Sequence, residues 1–237
     1  MKIISQFPRA SDIESKHLKW DLHAHTNFVD GKNSVKEMID AAEQKSLEVF
    51  AITEHVRSEW QFWWPRYVEE IKRYRLNRRL TVLIGFEANA IGPAGNVDVV
   101  DEMWDDVEIA IGAIHGYYHD DSWEKLDPAK LSANDALDYE IEKALGLCDN
   151  PRIDVIAHPF WLYREHFGDP PEQTLRLSFD KAKKTHTAVE ISPQSLKGSS
   201  KFMKVLMDVN PMVSFGSNAH SVAEIASVLP LFKEIYV

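Results

Sequence analysis

Histidines in this chain stand repeatedly at the tips of short apolar runs. Trp20-Asp21-Leu22 leads to His23 and His25, Val49 to Glu54 ends at His55, and Thr81 to Phe86 ends at Glu87. Ile109 to Ile114 ends at His115, Ile153 to Ala157 at His158, and Met212 to Ser217 at Asn218 and His220. Neutral imidazole suits zinc, iron and manganese, and added carboxylates favour harder ions. Six tips that deliver such groups at one end therefore describe a polynuclear metal site. His23 and His25 are two apart, so on a strand both face one side. Asn218 and His220 repeat that spacing, and Asp30 follows the first pair in a loop at Val29-Asp30-Gly31. One histidine at a strand end is ordinarily a hydrogen-bonded structural residue. Nine positions in this order carry the metal reading.

The elements that must position these residues alternate strand and helix, which predicts a parallel β/α architecture. In a β/α barrel the C-terminal ends of the strands hold the active site, and closure makes the first and last strands neighbours. With Ala188-Val189-Glu190-Ile191 as a further strand, the count is about seven, and Val97 to Val100 is a candidate extended segment. Ala88 to Asp106, with Gly92, Pro93 and Gly95, reads as an irregular loop. Ser34-Val35-Lys36-Glu37 has capping-box spacing and opens a helix to about Leu47. Further helices are predicted over much of Trp60 to Asn77, with Pro65 opening or kinking it, and from Ser132 to near Gly146. Three more are expected at Gln173 to Thr185, Ser199 to Asp208 and Ala223 to Ile235.

Composition sets the frame. The 237 residues, 44% hydrophobic and 27% charged, fit one α/β domain spanning residues 1–237. The lone cysteine, Cys148, excludes an internal disulfide, fits a reducing compartment and reads as a buried thiol. The opening Met1-Lys2-Ile3-Ile4-Ser5-Gln6 is too short and polar for a signal peptide, and no run is long enough to span a membrane. A cytoplasmic protein with no membrane partner is expected. The net charge of −10 repels long nucleic acid and offers no general electrostatic capture of it.

The motifs now carry a resemblance. Asp21-Leu22-His23-Ala24-His25-Thr26, Asp30-Gly31, Thr53-Glu54-His55, Gly85-Phe86-Glu87, His115, Ala157-His158-Pro159 and Gly216-Ser217-Asn218-Ala219-His220 resemble those of the PHP (polymerase and histidinol phosphatase) family. The resemblance runs from about Leu18 to the C-terminus. It implies a distorted (β/α)7 TIM-like barrel, two or three divalent ions (zinc, manganese or iron) at the strand C-terminal ends, and hydrolysis of phosphate esters. By position it implies three metal sites: His23, His25, Glu87 and Asn218 around the first; Glu87, bridging, with His115 and His158 at the second; Asp30, His55 and His220 at the third. Asp30, His55, Glu87 and His220 are the residues it would make catalytic. The family pattern has Asp where this chain has Asn218. An amide oxygen can ligate but carries no charge, so the first site loses an anion.

With Asp30 and Glu87 as its only formal anions, a three-ion pocket would carry about +4 and favour a dianionic monoester. The expected chemistry is in-line attack on phosphorus by a hydroxide bridging two ions, with no side-chain nucleophile. Arg57 and Arg164, placed near the barrel mouth, are candidate phosphate contacts, with a solvated surface arginine as the plainer reading of each. Asp21 is a candidate to orient a ligand imidazole. The basic stretch Lys72 to Arg79 reads as a solvated helix face. Trp60, Phe62, Trp63, Trp64 and Tyr67, and later Trp161 and Tyr163, pack on the barrel or offer rings to a substrate. His17, His119, His166 and His186 are read as non-ligands. The leading expectation is thus a monoesterase, histidinol-phosphatase-like among other options. The alternatives are a nucleotide phosphodiesterase or exonuclease, and a catalytically silent metal-binding domain suggested by Asn218. A carbon–nitrogen hydrolase is disfavoured because no strand tip supplies a bridging lysine.

Overall fold

The structure, a computed structural model, describes residues 7–59, 62–118, 125–197 and 200–236. Seven parallel strands run in chain order around one sheet: β1 Trp20–Asp21, β2 Val49–Val56, β3 Thr81–Ile91, β5 Ile109–Ala113, β6 Val155–Ile156, β7 Ala188–Ile191 and β8 Val213–Phe215. The short β4, Asn96–Val97, pairs antiparallel with the end of β3. Leu22 N donates to Phe215 O at 2.8 Å, Ala219 N to His23 O at 3.2 Å and His25 N to Ala219 O at 2.8 Å. These bonds tie the segment after β1 to the segment after β8 and close the barrel. The seven-stranded barrel expected from the sequence is therefore the observed fold.

Alternation along each strand sorts side chains into two layers. Trp20, Leu22, Ala51, Leu83, Ile109, Ile111, Ala113, Val155, Ala157 and Ala188 pack together inside the barrel. Phe50, Ile52, Val82, Ile84, Phe86, Ala110, Ile156, Val189, Ile191 and Phe215 join the larger cluster beneath the helices. Continuing the inner series upward gives Ala51, Thr53, His55 on β2 and Leu83, Gly85, Glu87 on β3. His55 lies directly opposite Glu87 in that register, and Glu87 opposite Ile111 of β5.

The helices are α1 Val35–Gln44, α2 Trp64–Tyr74, α3 Ala133–Asp149, α4 Trp161–Phe167, α5 Glu172–Thr185, α6 Pro193–Leu196, α7 Ser200–Val209 and α8 Val228–Tyr236. Ser34 and Glu37 form the expected capping box of α1. Pro65 opens α2 at its first turn and does not kink it. Gly146 lies in the last turn of α3, near its end as expected, where a Cβ would meet Pro93 O at 2.5 Å and Gly95 N at 2.6 Å. It permits close approach of the loop after β3. That loop is more ordered than its composition suggested, since β3 continues to Ile91 and turns back through β4. Cys148 is buried, as expected. Tyr67 of α2 donates to Ile52 O at 2.6 Å and Gly85 O at 2.9 Å, pinning the helix to β2 and β3.

Lys72 to Arg79 is not simply solvated. Lys72 pairs with Asp106 at 2.8 Å, Arg75 with Glu108 at 2.6 Å, and Arg78 with Asp40 at 2.6 Å and Glu43 at 2.8 Å. No helix among the described residues is long and apolar enough to cross a membrane.

Candidate metal centre

Glu87 is the hub of the site. Its Oε1 lies 3.1 Å from His115 Nε2 and 3.0 Å from His158 Nε2. Its Oε2 lies 2.9 Å from His55 Nδ1, 3.3 Å from His23 Nε2 and 3.6 Å from His25 Nε2. Asn218 Oδ1 is 3.0 Å from His25 Nε2. On the outer side, Asp30 Oδ2 lies 3.5 Å from His55 Nε2 and 3.4 Å from His220 Nε2. All nine residues singled out in the sequence thus meet in one cluster. Arg57, just past the end of β2, is exposed. Arg164 lies on α4, where its guanidinium donates to Ser195 O at 3.3 Å.

The local backbone explains how the short strands deliver their ligands. The alternation of β1 breaks between Leu22 and His23: Leu22 packs in the interior while His23 and His25 also turn inward. His158 and Asn218 both sit at positive φ, 27° and 48°. Such conformations in non-glycine residues cost about 1–3 kcal/mol and persist only where the surroundings impose them.

Electrostatics follow from packing so many titratable groups together. Burial opposes ionisation of Glu87, yet His115, His23 and His55 hold its carboxyl well below the usual carboxylate range. Burial likewise opposes a charge on His55, but Glu87 and Asp30 outweigh it and lift its pKa to about 10. Burial and the neighbouring His55 and His23 push His25 well down. Burial works against the charge on Asp30, but hydrogen bonds from His220 and His55 hold its carboxyl low.

The donor set fits divalent ions. Two ligand atoms bound at about 2.1 Å to one tetrahedral ion stand roughly 3.4 Å apart, and the ring–carboxylate spacings above cluster around that value. His23 Nε2 and Glu87 Oε2 are buried with no hydrogen-bond partner of good geometry. Buried polar atoms without such a partner are expensive unless a cation engages them. Three groups have ligand atoms close enough to share an ion: His25, Asp30, His55 and His220; His23, His25 and Glu87; and His55, Glu87 and His115.

Two readings from sequence need correction. Asp21 does not orient a ligand imidazole: its carboxylate accepts from Ser217 N at 2.8 Å and Ala226 N at 2.7 Å. Leu22 takes the inward position next to it, so Asp21 faces the loop before α8 and anchors the turn bearing Asn218. The count of anions was also too low. Glu190 of β7 lies 2.7 Å from His23 Nδ1, and Glu54 Oε2 lies 4.0 Å from His25 Nδ1. Both carboxylates are fully buried. Burial pushes the Glu54 carboxyl up to about 7 against hydrogen bonds from Thr26. The inward parity of Glu190, two residues after the interior Ala188, was the signal available for it.

The aromatic residues divide. Trp63, Trp64 and Tyr67 are buried with Phe28 packed against them, while Phe62 is exposed; Trp60 lies outside the described residues. Trp161 stands 5.6 Å from the His158 ring. Tyr163 is buried, and its backbone N–H serves Glu140. His17 accepts from Glu14 N at 2.9 Å and packs on Trp20, away from the cluster. His166 and His186 sit on α4 and at the end of α5, and His119 lies outside the described residues.

The model of the PHP domain family matches residues 21–193. The chain belongs to the PHP family. A probable phosphatase of Photobacterium profundum is 25% identical over 234 residues, covering 91% of this chain and 85% of that protein. The probable phosphatase YcdX of Escherichia coli is 25% identical over 221 residues, covering 85% and 78%. The DNA polymerase/3'-5' exonuclease PolX of Bacillus subtilis is 25% identical over 196 residues, but they make up only 30% of that protein. Among solved structures, a histidinol phosphate phosphatase from Lactococcus lactis, determined with zinc, L-histidinol and phosphate, superposes with a TM-score of 0.66. It is 14% identical, with 92% of this chain and 93% of that chain covered. A candidate histidinol phosphatase from Listeria monocytogenes superposes at 0.71 with 16% identity, over 87% and 97%. These likenesses agree with the fold and with the phosphoric ester hydrolase class expected from the motifs.

Proposed function

We propose that this chain, as one domain over residues 1–237, is a cytoplasmic metal-dependent phosphoesterase acting on a small phosphate monoester. The observation that carries the reading is Glu87, whose two oxygens face two different sets of imidazoles in one buried pocket. A carboxylate so placed is suited to bridge two ions.

In this reading His23, His25, Glu87 and Asn218 hold a first ion, Glu87, His115 and His158 a second, and Asp30, His55 and His220 a third. Zinc, manganese and iron suit this mixture of imidazole and carboxylate. Such ions supply Lewis acidity toward phosphoryl oxygens and bring the pKa of water near neutrality. The side chains prepare the site for that chemistry. Glu87 stays ionised despite burial because three imidazoles surround it. His55 presents Nδ1 to Glu87 and Nε2 to Asp30, so one ring joins the inner and outer parts of the cluster. Asp30 and His220, on the open side, are placed to meet a phosphate arriving from solvent. Arg164, whose guanidinium donates to Ser195 O, and the exposed Arg57 are the candidate phosphate contacts.

A phosphodiester substrate is the second reading, favoured by the match to the polymerase/exonuclease. Elemental analysis of purified protein, with assays of aryl phosphate mono- and diesters in added Mn²⁺ or Zn²⁺, decides between them, and histidinol phosphate is the first physiological monoester to include. Monoester turnover supports the proposal, diester turnover alone supports the second reading, and bound metal without turnover marks a silent domain.

A further inference from the structure

Glu190 lies behind the metal cluster and, apart from Glu87 itself, is the only described carboxylate that touches both the His23 and the His158 arms. Its Oε1 is 2.7 Å from His23 Nδ1, and its Oε2 accepts from the backbone N–H of His158 at 2.7 Å. The first arm belongs to the β1 side of the barrel and the second to β6. Glu190 itself projects inward from β7 and is fully buried. The neighbouring chain leaves room for it: a Cβ on Gly216 would come within 2.1 Å of Glu190 Oε1 and 2.7 Å of His23 Cβ.

We infer that Glu190 is a positioning residue that fixes both the tautomer of His23 and the strained turn of His158, and so sets the affinity of the two inner metal sites. This rests on the metal-centre reading above and deepens it. The argument is one of donors and acceptors. His23 must offer a lone pair at Nε2, which faces Glu87 Oε2 at 3.3 Å. Its ring proton must then sit on Nδ1, and an acceptor there holds it in place. His158 adopts φ 27°, and its amide N–H, turned into the interior, also needs an acceptor. Two donors converge on one side chain from opposite sides. A carboxylate accepts from both. A glutamine cannot: with its oxygen toward His158 N, its NH₂ faces His23 Nδ1 and drives the ring proton to Nε2, the atom needed for metal. With its amide reversed, the His158 N–H meets another N–H.

Glu190 also stands where charge is short. Asn218 brings no anion to the inner pocket, and a carboxylate hydrogen-bonded to His23 raises the basicity of that ring.

The test is Glu190→Gln, read by metal binding and not by turnover. Metal-free wild type and variant are titrated with Zn²⁺ against a chromophoric chelator, and stoichiometry is checked by elemental analysis. The expected result is inner-site affinity weakened on the order of 10- to 100-fold, with the open site retained and an unchanged far-ultraviolet circular dichroism spectrum. Equal inner-site affinities in variant and wild type overturn the inference and leave the phosphoesterase proposal standing. Failure of the wild type to bind Zn²⁺ overturns both. Should Glu190→Gln not fold, the zinc-loaded wild type decides the matter by long-range proton–nitrogen NMR. His23 protonated on Nδ1 and bound through Nε2 supports the inference, and the opposite assignment refutes it.

Discussion

The inner and outer halves of the metal centre are built differently. The side chains of the inner His23, His25 and Glu87 have 0% exposure and His158 3%, whereas the outer Asp30 has 47%, His220 30% and His55 25%; His115, at 27%, is the one inner ligand residue with such exposure. Behind the inner ligands stand two buried carboxylates, Glu190 on His23 and Glu54 facing His25. On the outer side His220 Nδ1 is paired only with Asn218 O, 3.0 Å away in its own turn. The inner half is therefore backed by buried carboxylates on β2 and β7, whereas the outer half is held by Glu87 on His55 and by the half-exposed Asp30 between His55 and His220. Rigid, desolvated ligands suit ions that stay bound, while exposed ones suit an ion that exchanges and a substrate that must enter.

The largest effect should come from the residue that joins the halves. Glu87→Ala should release metal from both inner sites and lower turnover by about three orders of magnitude, since Lewis-acid stabilisation is worth several kcal/mol. Elemental analysis and kcat measure it, and wild-type metal content would remove Glu87 from its hub position. Asp30→Asn should be milder. It weakens the open site by at least about tenfold, judged by the effect of losing even an indirect support of a ligand, and leaves the inner ions in place. Dialysis against a weak chelator, followed by metal counting, separates the two halves. Simultaneous loss of all ions would erase the distinction between them.

Asn218→Asp sharpens the inner half. Its backbone at φ 48° tolerates aspartate nearly as well as asparagine, so the change is mainly one of charge next to His25 Nε2. Metal affinity at the first site should rise by a few-fold to tenfold, read by chelator competition. Unchanged affinity would mean that Glu190 and Glu54 already balance the ions there.

The sequence carried the outer ligands and the inner ones equally well, because all but Asp30 stand at the end of an apolar run, as in Ala51, Thr53, His55 or Leu83, Gly85, Glu87. It did not carry the braces. Glu190 shares the inward parity of Ala188 and Glu54 the outward parity of Ile52, and a carboxylate in so apolar a strand looks like a solvent-facing position until the folded chain buries it. Asp21 failed in the opposite sense. It opens an Asp-x-His-x-His string, yet the shift in alternation between Leu22 and His23 sends it to the outside, and only coordinates reveal that shift. The helices α4 and α6, of 7 and 4 residues, were too short to leave a period of their own.

A buried carboxyl outside the centre gives the smallest and most separable effect. Glu140 of α3 accepts from Tyr117 OH at 2.8 Å and from the backbone N–H of Tyr163. It thereby ties the loop after His115 to the helix after His158. Unlike Glu87 it has no cation at hand, and burial lifts its pKa from 4.5 to about 7 despite those two bonds. A folded-state pKa above the unfolded value means that the native state binds the extra proton between these limits. Its stabilising contribution is therefore full below pH 4.5 and is lost as pH rises toward 7. The loss is on the order of 2–3 kcal/mol for a group this enclosed. Urea unfolding of wild type and Glu140→Gln at pH values across that interval measures it. The variant should show a flatter dependence by about that amount, both with and without Zn²⁺, because Glu140 touches none of the ligand side chains. Glu54, lifted to a similar pKa beside His25, should contribute a slope that changes on metal binding. An identical pH dependence in Glu140→Gln and wild type would show that Glu140 is ionised in the folded protein, and the contrast between the braced centre and its neutral support would fall.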